Sequence, residues 1–129
     1  MKTKKKSLIK KCDDILSLII RSNGYCEVCG KSSYVCQLHA HHIVTRKIMV
    51  LRYDLRNLVC LCAGCHKLNK FSAHENSLWF IDWLTEHRPE DLEYVKSKSN
   101  SIAHYTEADL REIYQKLKEE HAKLETEKI

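Results

Sequence analysis

The sequence predicts an α+β fold in which a small unit of two strands and a helix is flanked by further helices at both ends of the chain. Two identical pairs, Cys26-x2-Cys29 and Cys62-x2-Cys65, bracket a stretch with strand character. Apolar residues at helical spacing occur on both sides of that stretch. Since the chain has 129 residues, we expect a single domain over 1–129.

The first part of the chain, 1–23, is predicted to be a basic tail and an N-terminal helix. Six of the first eleven residues are lysines. Apolar residues recur at helical spacing over Lys10–Arg21 and stop at Asn23-Gly24, which is typical of a left-handed helix cap.

The second part, 24–73, is predicted to be the core. Residues 25–31 form a first cysteine knuckle, in which Gly30 permits the tight turn. Gln37–Thr45 reads as a strand and Leu58–Leu61 as a second one, with a basic, irregular segment between them. A helix from about Ala63 to Lys70 completes the unit.

The third part, 74–129, is predicted to be a helical extension. Ser77–His87 is an apolar helix in which Trp79 and Trp83 anchor the core, and Pro89 opens another helical stretch. Thr106 and Asp109 form a capping-box-like start of a helix that runs to about residue 126. The apolar stripe of this last helix predicts a packing surface or a homodimer interface.

Charge and cysteine usage narrow the function classes. Lys and Arg number 22 against 17 Asp and Glu, which gives a net charge of +5. This excess indicates an acidic polymer such as nucleic acid as a partner, although a basic tail also serves solubility alone. The amino terminus is charged, and Ile15–Ile20 is too short to span a membrane. We therefore expect a cytoplasmic protein whose cysteines bind metal rather than form disulfides.

Four of the seven cysteines are predicted to hold a structural zinc ion, because two Cys-x2-Cys knuckles complete a closed tetrahedral thiolate shell. The alternative is that they are buried apolar side chains. Cys60 competes with Cys62 for a place in the second pair, and Cys62 is preferred because its spacing repeats the first. A thiol redox switch is disfavoured because metal would sequester the thiols. Cys12 and Cys36 are predicted to be plain thiols.

The histidines of the first strand divide between its two faces. Because side chains alternate, His39 and His41 share one face and His42 points to the other. His66 directly follows a knuckle cysteine and can supply a second metal ligand. His39 remains an alternative or additional ligand to His41. His74 follows His66 by about two helical turns, so a third ligand role is geometrically possible, but its sequence setting favours a helix terminus outside the site.

These residues resemble the HNH endonuclease family, whose fold is the ββα-metal motif. The resemblance covers about 24–70 and rests on the two knuckles with Ala40-His41-His42-Ile43, Asn57-Leu58-Val59 and Cys65-His66. A narrower similarity, to phage NinG-type recombination nucleases, rests on His42-Ile43-Val44-Thr45-Arg46 and on residues 51–57. The chain departs from that narrower pattern at His41 and His66, where those proteins often have glycine and asparagine.

The HNH resemblance implies a role for each matching residue. His42 is the general base, and Asn57 braces the loop and orients His42. His41 and His66 hold one catalytic divalent cation, Mg²⁺ or Mn²⁺, with Ni²⁺ or Zn²⁺ as further options. Phosphate-binding residues are expected among the cations of the core, namely Arg46, Arg52, Arg56 and Lys67. The alternative is a structural role, in which the arginines only form ion pairs with Asp54 and nearby acids.

The implied activity is hydrolysis of DNA phosphodiester bonds by a single-metal, histidine-general-base mechanism, which leaves 5′-phosphate and 3′-hydroxyl ends. The narrower similarity implies branched or recombination intermediates in a phage or mobile-element context. The alternative is a zinc-containing accessory module that binds nucleic acid without cleaving it. That alternative leaves the joint presence of His41, His42, Asn57 and His66 unexplained.

Overall fold

The computed structural model describes the backbone of residues 2–127 and the side chains of residues 4–127. The regular elements in this range are α1 (Lys2–Arg21), β1 (Leu38–His42), α2 (Met49–Arg52), β2 (Leu58–Cys62), α3 (Ser77–His87), α4 (Pro89–Lys98) and α5 (Glu107–Glu127). A 3-10 turn over Leu55–Asn57 precedes β2, and a five-residue π-helical turn over Gly64–Leu68 follows it.

The two strands form an antiparallel hairpin in which His41 lies opposite Val59 and His42 opposite Leu58. Both strands occur where they were predicted, but β1 is shorter than Gln37–Thr45. The Asn57 carboxamide accepts a hydrogen bond from Val44 N at 2.8 Å and donates one to Val44 O at 2.9 Å. Because a side chain occupies the backbone groups of Val44, the ladder ends there and the chain turns away.

The first cysteine knuckle covers the outer edge of β2. Glu27 N donates to Cys60 O at 2.9 Å, and the Glu27 carboxylate accepts from Cys60 N at 2.6 Å. Gly30 closes the knuckle at φ +77°, a left-handed backbone that suits glycine. β1 pairs only with β2 in the described chain, so its own outer edge stays free of a strand.

Every residue of β2 is buried, because both faces of the hairpin are covered. One apolar cluster contains Val59 and Leu61 with Phe80 and Leu84 of α3. The other contains Leu58 and packs the opposite face against α1 and α5. Burial on both faces explains why β2 reads as a continuous apolar run rather than an alternating one.

The N-terminal helix is longer than predicted. It begins at Lys2 instead of Lys10, so the lysine-rich segment is helical and not a tail. The side chain of Lys2 itself lies outside the described part. Gly24 follows the helix at φ +88°, as the predicted cap requires.

The apolar stripe of α5 packs against α1 within the same chain. Leu110 and Leu117 are buried in the shared cluster, and Cys12 Sγ lies 3.5 Å from Leu110 O. The capping box is confirmed, since Thr106 N donates to the Asp109 carboxylate at 2.9 Å and Asp109 N donates to Thr106 Oγ1 at 3.1 Å. Of the two roles predicted for the stripe, the structure shows packing.

The remaining helices follow the sequence closely, with one exception. α3 has the predicted bounds, Pro89 opens α4, and Asn76 caps α3 by accepting from Trp79 N at 3.0 Å. The helix predicted from Ala63 to Lys70 is wrong in form, because only a π-helical turn to Leu68 is present. Within residues 2–127 no helix is long and apolar enough to cross a membrane.

Replacement of Leu110 by alanine tests the contribution of the α1–α5 contact to stability. Leu110 is fully buried, so we expect the Leu110→Ala change to lower the free energy of unfolding by about 2–5 kcal/mol. Chemical denaturation of the two proteins measures the difference. Ile102, which is 83% exposed, provides the control, since Ile102→Ala should change stability by less than about 0.5 kcal/mol. Equal effects of the two changes would contradict the packing described here.

Candidate metal centres and active site

The four knuckle cysteines come together at one end of the hairpin. The sulfur atoms of Cys26, Cys29, Cys62 and Cys65 all lie within 4.8 Å of one another, and Cys29 Sγ is 3.7 Å from Cys62 Sγ. In each knuckle the last cysteine directs its N–H at the first sulfur, at 3.5 Å and 3.4 Å. Four converging thiols form a donor set that fits a zinc ion.

The other cysteines lie outside this group. Cys60 is not among the four converging cysteines, and its backbone is paired with Glu27, so the second pair contains Cys62 and not Cys60.

Burial raises the pKa of Cys62, but hydrogen bonds from the Cys65 N–H and from neighbouring thiols outweigh it and lower that pKa to about 7. A lowered pKa favours the Cys62 thiolate, which is the form that binds metal.

A second cluster contains three histidines. Ring nitrogens of His41, His66 and His74 lie within 4.8 Å of one another, and His66 Nε2 is 3.0 Å from His74 Nε2. The His41 ring also stands edge-on to Phe80 at a centroid distance of 5.1 Å. Three imidazoles around one point are a donor set for a transition-metal dication.

His74 belongs to this cluster, contrary to the prediction that it lies outside. The helical turn after Cys62 ends at Leu68, and the chain then folds back. Ala73 N donates to Cys65 O at 2.8 Å and His74 N donates to His66 O at 3.1 Å. These two bonds lay the segment before α3 alongside the knuckle and bring His74 against His66.

His39 contacts the other side of His66. Its Nδ1 lies 2.9 Å from His66 Nδ1, whereas His74 approaches His66 at Nε2. His39 is not among the three converging histidines in the described chain. The arrangement therefore favours His39 as a hydrogen-bonding neighbour of a ligand over His39 as a ligand.

His42 lies on the opposite face of β1 from His41, as the alternation predicts. Both nevertheless line one cleft of about 930 Å³. His42 Nε2 lies 3.0 Å from the Arg52 carbonyl oxygen. A carbonyl only accepts, so Nε2 carries the proton and Nδ1 is left with its lone pair.

Asn57 positions the segment that holds His42. It is fully buried, and its Nδ2 donates to Leu51 O at 3.1 Å as well as to Val44 O. Its side chain makes no hydrogen bond to the His42 ring within the described structure. Asn57 thus braces the loop as expected, and it reaches His42 only through the backbone at the end of α2, where His42 bonds the adjacent Arg52 carbonyl.

Arg52 is held by a carboxylate of α1 that the sequence analysis did not single out. Asp13 accepts from Arg52 Nε at 3.0 Å and from Nη2 at 2.6 Å. The Arg52 side chain is only 17% exposed. Sequence carries no signal for this pair, since the two residues are far apart along the chain. Arg52 is therefore engaged within the protein, as the alternative to phosphate binding predicted.

The other predicted cations differ in their availability. The Arg56 guanidinium is engaged, because it pairs with Asp91 at 2.8 Å and lies over the Tyr94 ring. Asp54 is engaged as well, since it accepts hydrogen bonds from Tyr94 and from Arg56 N. Arg46 is 60% exposed, with Asp13 at 3.8 Å. Arg46 and the exposed Lys67 both line the cleft, whereas Arg56 does not.

Burial keeps the imidazoles of His41, His42 and His66 neutral near pH 7. Burial and the neighbouring His66 and His74 lower the pKa of His41 to about 3. Burial and the neighbouring His74 and His39 lower the pKa of His66 to about 4. For His42, burial and Arg46 lower the pKa against the raising effects of the Arg52 carbonyl and Asp13. All three imidazoles can therefore act as ligands or bases near pH 7.

Comparison with known proteins gives one match. Residues 26–71 match the HNH endonuclease family, and this segment is about a third of the chain. It includes the four cysteines with His41, His42, Asn57 and His66, and it ends just before His74. No curated protein and no solved structure matches the chain. The segment is thus similar to an HNH nuclease domain, and nuclease is the class of activity that the family supports.

The lowered histidine pKa values predict how stability depends on pH. Between about pH 4 and pH 6.5 the unfolded chain protonates His41 and His66, whereas the folded chain does not. The free energy of unfolding should therefore fall as the pH is lowered from about 7 towards 4. Urea denaturation at several pH values measures this slope.

The His41→Asn/His66→Asn double variant should show a shallower pH slope, because asparagine does not titrate. The His87→Asn/His104→Asn variant, which removes two exposed imidazoles outside the cleft, is measured beside it as the matched control. Parallel curves for the wild type and the His41/His66 variant would contradict the assignment. A bound divalent ion acts in the same direction, since protonated imidazole does not ligate metal.

Proposed function

We propose that this protein is a metal-dependent DNA endonuclease of the HNH type, with a structural zinc at the four cysteines and one catalytic divalent ion at the histidine cluster. The observation that carries the proposal is the joint presence, in one cleft, of three converging imidazoles and of a fourth histidine with a free ring nitrogen. The match of residues 26–71 to the HNH endonuclease family supports the same activity.

His42 acts as the general base in this proposal. Its Nε2–H is engaged by the Arg52 carbonyl, so Nδ1 is the atom that accepts the proton from the attacking water. Asp13 holds the Arg52 guanidinium, and Asn57 holds the neighbouring Leu51 carbonyl. These contacts fix the ring before the substrate arrives, so that no reorganisation is needed during the reaction.

His41, His66 and His74 hold the catalytic ion, and Arg46 and Lys67 contact the phosphates beside the scissile bond. A divalent ion bound there supplies a Lewis acid that stabilises the leaving 3′ oxygen. Imidazole ligands favour Mn²⁺, Ni²⁺ or Zn²⁺ over Mg²⁺. His39 accepts the Nδ1 proton of His66 at 2.9 Å, which leaves the Nε2 lone pair of His66 for the ion.

The substrate class in this proposal is DNA, with branched or recombination intermediates suggested by the resemblance to phage NinG-type nucleases. The products are 5′-phosphate and 3′-hydroxyl ends. The competing function is a zinc-containing accessory module that binds nucleic acid without cutting it. The two functions differ in one measurable respect, namely dependence of strand cleavage on His42.

Loss of the base should abolish cleavage without loss of structure. We expect the His42→Ala change to slow cleavage of plasmid and four-way-junction DNA by about 100-fold or more, since general-base catalysis contributes at least that factor. Zinc content and DNA affinity should stay at wild-type values. His104→Ala, at an exposed histidine outside the cleft, is the matched control. Full activity of His42→Ala would rule out the assigned base, and no cleavage by the wild type with any divalent ion would favour the accessory module.

Metal affinity separates a ligand from its hydrogen-bonding neighbour. Titration calorimetry with Mn²⁺ should show strongly weakened binding for His74→Ala, because a donor atom is lost. His39→Ala should weaken binding by about 10–100-fold, as expected for a group that orients a ligand. His39→Gln restores a hydrogen-bond acceptor and should recover part of the loss. Unchanged affinity in His74→Ala would remove His74 from the ligand set.

A further inference from the structure

The lysine-rich segment and the candidate cleft belong to one continuous helix. Asp13, Asp14 and Ser17 of α1 line the cleft, and α1 extends without a break to Lys2. The helix is held by the apolar contact with α5. The lysines near its start are therefore carried at a set distance from the cleft.

Four of the five described lysines of α1 lie on two sides of the helix. Lys6 and Lys10 precede Asp14 and Ser17 at helical spacing, so they continue the side that lines the cleft. Lys10 Nζ lies 2.7 Å from the Asp14 carboxylate, which confirms this alignment. Lys4 and Lys11 lie on another side, where they border a small hollow together with Arg111 of α5.

Neither lysine on the cleft side is strongly committed to a partner. Lys6 is exposed and makes no ion pair within the described structure. The Lys10–Asp14 pair is highly exposed, at 76% and 62%, and such pairs contribute little. A phosphate can therefore replace Asp14 as the partner of Lys10 at small cost.

We propose that the cleft side of α1, with Lys6 and Lys10, binds the phosphate backbone of the substrate DNA on one side of the scissile bond. This inference rests on the proposed nuclease function and adds the path of the substrate to it. The partner is DNA because the lysine side chains are cationic and lead directly into the cleft where a phosphodiester would be cut. The two lysines therefore lie on the surface of an ordered helix and not on a tail.

Helix geometry sets the length of the contact. Lys10 lies about 4.5 Å and Lys6 about 10 Å along the helix axis from Asp13, at 1.5 Å per residue. With a rise of about 3.4 Å per nucleotide, these distances correspond to roughly one and three nucleotides from the cleft. DNA that ends within about two nucleotides of the cut on that side should therefore lose the contribution of Lys6.

The test compares two double variants that remove equal charge from the same helix. DNA binding is measured by fluorescence anisotropy in the His42→Ala background, across a range of salt concentrations. Lys6→Gln/Lys10→Gln should weaken binding roughly tenfold or more at ~150 mM salt and lower the salt slope by about 2, since each phosphate contact contributes roughly 0.9. Lys4→Gln/Lys11→Gln should produce less than half of that change in slope. Circular dichroism checks that both variants keep their helix content.

Equal effects of the two variants would overturn the proposal, because net charge alone would then explain them. Unchanged DNA binding in Lys6→Gln/Lys10→Gln would overturn it too. A Lys6→Gln/Lys10→Gln variant that keeps its DNA affinity but binds phosphatidylserine-containing vesicles more weakly would point to a membrane surface instead and would also overturn it. Cleavage by the chain with native His42 is measured separately. If that chain cuts DNA and the two variants bind alike, this inference fails and the proposed function stands. If it cuts no DNA but the variants differ as expected, the binding surface stands without the nuclease.

Discussion

The convergence of four thiols is the constraint on which the rest of the molecule depends. It joins a knuckle at residues 26–29 to one at residues 62–65 and thereby closes the end of the hairpin. The second knuckle leads at once into His66, so the position of that imidazole follows from the position of the sulfurs. The Cys65 and His66 carbonyls then accept hydrogen bonds from Ala73 N and His74 N, and these two bonds place His74 next to His66. One cluster of sulfur atoms thus determines where the nitrogen donors meet.

The edge position of β1 is relevant to the separate roles proposed for the adjacent His41 and His42. In a central strand, neighbouring side chains would point into separate compartments on the two faces of the sheet. In the described chain β1 pairs on one side only, and residues from both of its faces line the same cleft. The His41 ring contacts His66 in the histidine cluster, while the His42 ring hydrogen-bonds the Arg52 carbonyl at the end of α2. In the proposed mechanism, metal ligation and proton transfer therefore belong to neighbouring residues and use different atoms.

Local patterns predicted the elements well, and long-range contacts account for what they missed. The bounds of α3, the capping box of α5 and the four-cysteine group follow from spacing and turn chemistry, which are properties of short segments. His74 was placed outside the site because its local sequence is typical of a helix terminus, whereas long-range backbone bonds fold the chain back after Leu68 and bring His74 against His66. The Asp13–Arg52 pair joins segments that no periodicity relates. The role of Asn57 was partly foreseen, but only the fold shows that it acts through Leu51 rather than on His42.

The complete burial of β2 has a consequence for how such a unit can be inherited or engineered. The segment that matches the HNH family, 26–71, includes β2 but neither α1, which covers one of its faces, nor α3, which covers the other. Excised alone, that segment would expose Leu58 on one side and Val59 and Leu61 on the opposite side to water. It is not a portable module in this protein. A chimera or a minimal version would have to carry the flanking helices with it, and exchange between proteins would have to transfer the whole chain or re-cover both faces.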